Sequence, residues 1–311
     1  MAEIYAEKAA ILQKVESTYG TDSVPVAGTD ALMVHNLRID PLKKAYAPRN
    51  PVLPFFGNQG LVVAASWAEI SFDIEMAGSG TAGTAPKYAV ALKSCGMAET
   101  VNAGTDVQYD PITTGISSSS IYYYESGVLH KILGALGNVS FELKAGDVPM
   151  MHFRFIGLHV AFADATLITP TLTSFQIPVA ANKVNTTPFT LHTFAGIFSD
   201  ITLDVGNDIQ YFNKPNFEGV RFVNRMSKGH ITLEKDLVAS KDWGSIIKAG
   251  TTGALTVTHN TVAGNIGKLD VGQAQLTNYT ESVDRGIKLV GMDFEARPTS
   301  AGNNEFKFTV K

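Results

Sequence analysis

The chain has a single cysteine, Cys95, so no disulfide can form within it. By residue type a lone cysteine is most often a small buried hydrophobe. Charge is also scarce, at 17% of 311 residues, and it carries no basic excess: 25 Lys and Arg stand against 29 Asp and Glu, a net charge of -4. Tight electrostatic gripping of nucleic acid needs clustered Lys and Arg, so that class is disfavoured. The opening MAEIYAEKAAILQKVE is interrupted by charges, and reads neither as a signal peptide nor as a membrane span. The expectation is a chain made and folded in a cytoplasm without a membrane anchor, in which the sequons at Asn138, Asn185 and Asn278 carry no glycan. Seven scattered histidines lack H-E-x-x-H or H-x-H spacing, so no metal or other cofactor is expected.

What is present is apolar and rich in turns. Hydrophobic residues make up 45% of the chain, and 28 glycines with many Thr, Ser and Asn suit strands and turns better than long helices. The clearest element is a hairpin over 138–160. Val139, Phe141 and Leu143 alternate with Ser140, Glu142 and Lys144; Ala145-Gly146-Asp147 makes a turn; Met151, Phe153 and Phe155 alternate with His152 and Arg154. The apolar phase then flips to Ile156, Leu158 and Val160 beside Gly157, as a bulge or close backbone approach would produce. Residues 287–294 repeat the pattern of 153–160 (apolar, basic, apolar, apolar, Gly, apolar, polar, apolar), and 70–74 with 88–92 match 231–234 with 243–248. Duplication follows: a mainly β chain, of β-sandwich or barrel type with short flanking helices, built as two related domains in tandem.

The expected boundaries are an N-terminal arm over 1–31, a first β domain over 32–165, an extended Thr-, Ala-, Asn- and Pro-rich linker over 166–187, and a second β domain over 188–311. In the arm, Ile4, Ile11, Leu12, Val15 and Tyr19 predict a short amphipathic helix closed by Gly20, with Lys8 interrupting its stripe. A strand over 32–39 leads into a proline-punctuated loop over 41–60 that carries Phe55 and Phe56. The second copy carries Tyr211 and Phe212 in a corresponding loop over 208–217. Long loops in compact domains are usually functional, and exposed aromatics seek cover, so these four residues are expected to contact a partner. Residues 107–131, containing Ile121-Tyr122-Tyr123-Tyr124, predict an extra hairpin that the second copy lacks.

Three motifs bear on chemistry. Gly78-Ser79-Gly80-Thr81-Ala82-Gly83 matches G-x-G-x-x-G, with Glu99 near the ribose-acid spacing, but the preceding strand alternates Phe72, Asp73, Ile74, Glu75 instead of being buried on both faces. A flexible loop is the preferred reading. Ser245-Ile246-Ile247-Lys248 has S-x-x-K spacing without the companion elements, and reads as part of a helix. Asp73 with Glu75, and Glu234 with Asp236, alternate along corresponding strands; paired carboxylates can serve a glycosidase, but here they predict a solvated acidic face. Many copies of such a face around a channel would repel DNA phosphates and let DNA slide.

The segments ILQKVESTYGTDSVPVAGTDALMVHNLRI, FDIEMAGSGTAGTAPKYAVALKSCGMAETV, GALGNVSFELKAGDVPMMHFRFIGLHV and GIKLVGMDFEARPTSAGNNEFKFTVK together resemble the major tail tube proteins of long-tailed bacteriophages, nearest in look to Mu-like phages with non-contractile, siphovirus-type tails. The resemblance implies a structural virion protein, not an enzyme, assembled in the bacterial host cytoplasm. Its subunits would form rings stacked into a tube around a tape-measure protein, between tail-terminator and tail-tip proteins, with DNA passing through unbound by sequence. Two tandem domains imply a homotrimer with pseudo-sixfold symmetry. Asp73, Glu75, Glu234 and Asp236 would then line the lumen, while Phe55, Phe56, Tyr211 and Phe212, with the N-terminal arm, would touch the next ring. Two other classes stay open: a β-sandwich module that binds carbohydrate or a receptor, and an enzyme on a β scaffold, for which no converging titratable groups are found.

Overall fold

The computed structural model describes Tyr5 and residues 8–311. Strands hold 52% of the residues and helices 4%, so the chain is mainly β as its composition predicts. The first half runs β1 (Ala9–Val15), β2 (Ala31–Leu32), β3 (His35–Ala47), β4 (Val62–Glu75), α1 (Ala89–Ser94), β5 (Met97–Asn102), β6 (Asp106–Pro111), β7 (Ser119–Glu125), β8 (Val128–Lys144), β9 (Met150–His159) and β10 (Ala163–Asp164). The second runs β11 (Thr186–Leu191), β12 (Phe198–Asp204), β13 (Asn207–Lys214), β14 (Phe217–Arg225), β15 (Lys228–Glu234), α2 (Trp243–Ala249), β16 (Thr252–His259), β17 (Gly267–Leu276), β18 (Thr280–Asp284), β19 (Ile287–Ala296) and β20 (Lys307–Val310).

Eight antiparallel strands make a continuous front sheet in the order β3, β4, β9, β8, β12, β15, β19, β18. Within this sheet its two halves have a similar strand order: in each, a middle strand (β4, β15) lies between an earlier strand (β3, β12) and a later one (β9, β19). The halves meet where β12 pairs with β8, from Asp200 opposite Lys144 to Asp204 opposite Ser140. Behind this sheet lies a second layer ordered β5, β6, β20, β17, β16, β11, in which the C-terminal β20 joins β6 of the first half to β17 of the second. One apolar core fills the space between, with Phe72, Phe141, Phe153 and Phe155 from the first half against Ile201, Leu233, Phe294, Phe306 and Phe308 from the second.

Strict alternation explains which side faces that core. Val139, Phe141, Leu143, Met151, Phe153 and Phe155 are all buried, and the intervening polar residues point to the opposite face. The phase flip also occurs, but the register shift sits on β8 between Leu133 and Leu136, opposite Gly157. A Cβ at Gly157 would come within 2.8 Å of the Leu133 carbonyl oxygen, so the glycine marks a close backbone approach.

Three expectations need correction. The segment that contains Ile11, Leu12 and Val15 is strand β1, paired with β2 and β7, not an amphipathic helix; Ile4 lies outside the described residues. Ile11 and Leu12 are both buried, each in a different apolar cluster, which a strand between two layers permits. The loop placed at Pro41 begins only after Ala47, because β3 carries Pro41 through a register shift between Asp40 and Lys43, where its missing N–H is tolerated. Residues 208–217 belong to the hairpin β13–β14, turned by Asn216 at φ +68°. The hairpin β7–β8 and the short helices α1 and α2 agree with the reading of the sequence; of the stretch read as a linker, Thr186 and Thr187 belong to β11.

Candidate functional site

The face of the front sheet turned away from the core is polar, except at the end of the first half where it carries Trp67, Leu136 and Ile156. From β3 to β19 it presents ten carboxylates (Asp40, Glu69, Asp73, Glu75, Glu142, Asp200, Asp204, Glu234, Asp293, Glu295) and five lysines and arginines (Arg38, Lys43, Lys144, Arg154, Lys228). Removing these from the chain's 29 acidic and 25 basic residues leaves 19 and 20. The net negative charge of the protein therefore resides on this one face.

Three histidines sit among the carboxylates. His152 lies between Asp73, 2.8 Å from Nδ1, and Glu142, 2.8 Å from Nε2. Partial burial opposes its charged form, but hydrogen bonds and charges from Asp73 and Glu142 outweigh that and raise its pKa. His35 Nε2 is 3.3 Å from Glu75, and His230 Nδ1 is 2.6 Å from Asp293, whose pKa falls because of that contact and a hydrogen bond donated by Asn278. His230 on β15 and Asp293 on β19 answer Asp73 on β4 and His152 on β9, with acid and base exchanged between equivalent strands. Farther along, Glu69 gathers Arg154 at 2.8 Å, Lys43 at 3.0 Å and the Trp67 indole N–H at 3.0 Å.

Of the acidic residues singled out in the sequence, Asp73, Glu75 and Glu234 lie on this face. Asp236 lies past the end of β15, where its side chain accepts from the Leu237 amide. Phe55 and Phe56 lie in the exposed loop between β3 and β4, Phe56 with its ring fully in solvent. Tyr211 is engaged inside the chain: its ring stacks on Trp67 at 5.3 Å and 24°, and its hydroxyl donates to Glu218 at 2.5 Å. Phe212 is half-buried beneath the Lys214 ammonium. The hairpin β13–β14 thus caps one end of the first half through Ile209, Tyr211, Val220 and Phe222 on Trp67, Leu136 and Ile156. Tyr19 ties it down, its hydroxyl accepting the Val220 amide at 2.5 Å. That cap escaped the sequence reading, although Ile209 and Tyr211 alternate with Asp208 and Gln210 as a strand would.

The two other motifs have structural explanations. A Cβ at Gly78 would fall 1.9 Å from the Gly264 carbonyl oxygen and one at Gly83 2.3 Å from the Gly104 amide, so these glycines permit loops to pack on each other. Ser245 donates its hydroxyl to Asp242, the residue whose side chain caps α2.

Both long edges of the front sheet are open. Among the described residues β3 pairs only with β4 and β18 only with β19, and every residue of β18 is exposed. Unpaired edges with alternating side chains invite addition of another strand. The sequence profile described as phage tail tube protein matches residues 6–304. The chain belongs to that family. It is accordingly a structural component of the phage tail, and hence of the virion. No curated protein matches this tail tube chain significantly. Among its described residues no helix is long and apolar enough to cross a membrane.

Proposed function

We propose that the chain assembles as a homotrimer whose three front sheets close into a ring, and that stacked rings form the tail tube through which DNA is delivered. The observation that carries this is the junction of β8 with β12. Inside one chain it joins the first half to the second; the open edges β18 and β3 are the equivalent strands at the two ends of the sheet. Pairing β18 of one copy with β3 of the next repeats the internal junction and leaves no free edge. The two halves then act as tandem tail-tube units with pseudo-sixfold symmetry.

The dimensions suit this reading. Three copies supply about 24 strands; at ~4.8 Å spacing and ~40° tilt their barrel is roughly 48 Å across, leaving ~35 Å between side chains. A duplex about 20 Å wide fits with water around it. The polar face points inward, so Asp73, Glu75 and Glu234 line the lumen and repel phosphates. Tape-measure, terminator and tail-tip proteins are the partners this role requires, and a siphovirus-type tail with assembly in the host cytoplasm is the setting.

Cysteine pairing tests the ring. Arg38→Cys on β3 is combined in one chain with cysteine at 280, 282 or 284 on β18. Oxidation of assembled protein is expected to link copies in a ladder that ends at three chains. No interchain link in any of the three pairings, or a ladder ending at six, would overturn the trimeric ring.

A further inference from the structure

The ladder between β3 and β4 outruns the sheet. Beyond Trp67, the last β4 residue paired to β9, the two strands continue alone from Lys43 opposite Trp67 to Ala47 opposite Val62. Tyr211 stacks on Trp67 and braces the base of this arm. Its tip, residues 48–61, carries Val52, Leu53, Phe55, Phe56 and Leu61 into solvent, with Val52 at 100% and Phe56 at 107% relative exposure. Residues 41–66 include Lys43, Lys44 and Arg49 and no carboxylate.

The opposite end of the same sheet holds a cavity of about 540 Å³. Part of its wall is apolar, with Phe189 and Phe198, ring centroids 4.9 Å apart, beside Ala145, Ala195 and Ile197; Asn182, Lys183, Thr186 and Thr187 make the rest polar. Ile197 stands 64% exposed at its mouth.

We infer that the Phe55–Phe56 tip of one copy seats in the Phe189–Phe198 cavity of a second copy in the next ring. The inference rests on the ring reading above and names the receptor of the stacking contact. A projection at one end and its receptor at the other make a head-to-tail contact, which does not close on itself and so grows an open stack. When all copies in a ring point the same way, one rim carries the arms and the other the cavities. The arm's counterpart in the second half, β13–β14, is already spent capping the first half, whereas the tip of the β3–β4 arm stays exposed.

The test uses the whole chain in two forms, F55S/F56S, which lacks the knob, and Ala195→Trp, which blocks the cavity at an exposed position. Each alone is expected to give single rings, seen by electron microscopy, with at least a tenfold loss of stacks longer than two rings. Mixed one to one, they are expected to give ring pairs that grow no further, because only one productive face of each kind is present. A Phe56→Cys chain carrying Ala195→Cys is expected to form disulfides only in stacked material. Normal stacking by either variant, or rings that stack while the thiol introduced at position 56 links elsewhere, overturns the inference and leaves the ring intact. A chain that never forms rings overturns the ring reading and the inference with it.

Discussion

Replacing Glu16 with glutamine probes how the chain holds together the turn that carries Tyr19 beneath the β13–β14 cap. The Glu16 carboxylate is 7% exposed and accepts four hydrogen bonds. Oε2 takes the Gly20 amide at 2.8 Å and the Ser118 hydroxyl at 2.7 Å; Oε1 takes the Ser120 hydroxyl at 2.9 Å and the Gly134 amide at 2.8 Å. Glutamine keeps the shape but turns one acceptor oxygen into a donor. Either orientation sets an NH2 against one backbone amide and one hydroxyl. The hydroxyl can rotate; the amide cannot. One hydrogen bond to a charged acceptor is lost, at about 2 kcal/mol, and a buried amide is left unpaired for ~1 kcal/mol more. Glu16→Gln should therefore cost about 3 kcal/mol, a fall in melting temperature of roughly 4–6 °C for a protein of this size. Glu16→Ala, which strands all four donors, should cost more. Because Tyr19 lies in the same turn and holds the β13–β14 cap, the melt should be preceded by a rise in hydrogen exchange across 207–225. Urea unfolding of the dissociated chain measures the first effect and exchange the second. A change below about 1 kcal/mol for Glu16→Gln would refute the account of this carboxylate.

Four further outcomes are expected. The raised pKa of His152 means its charged pairing with Asp73 and Glu142 stabilises the fold fully below the unfolded value near 6.5 and is lost as pH rises through the folded value; His152→Gln should remove that part of the pH dependence. Burial lowers the pKa of His192 and His259, so these two work the other way, and stability that they retain above pH ~6.5 is lost in acid, a slope that persists in the His152→Gln chain. Tyr211→Ala removes the stack on Trp67 and should cost about 2–3 kcal/mol, reported by a red shift of Trp67 fluorescence while Trp243 stays buried; an unchanged spectrum would contradict the cap. Burial pushes the Cys95 thiol well up, so it should resist thiol reagents in the native chain and react only on unfolding.

The front sheet was legible because alternation is a local signal. Val139, Phe141 and Leu143 declare their side of the sheet in five residues, and Ile231 and Leu233 do the same in β15. The pairing of β8 with β12 was not legible, since two strands some sixty residues apart in sequence choose each other through a shared core. The N-terminal strand was misread because apolar Ile11, Leu12 and Val15 also satisfy a helical stripe, and strand pairing with β7 decides between the two. The Asp73–Glu75 and Glu234 carboxylates were found by pattern, but their histidine partners His152 and His230 come from other strands and needed the register. Tyr211 resembled Phe55 in sequence, each an aromatic beside a second aromatic near a proline. Only three-dimensional neighbours separate the two, Trp67 for one and solvent for the other.

Cryo-electron microscopy of the assembled tube tests the central claim most directly. Three chains per ring, β18 hydrogen-bonded to β3 of the next copy and the face bearing Asp73, Glu142 and Asp293 turned to the channel are the predicted result. Six chains per ring, or that face on the outside of the tube, would contradict it.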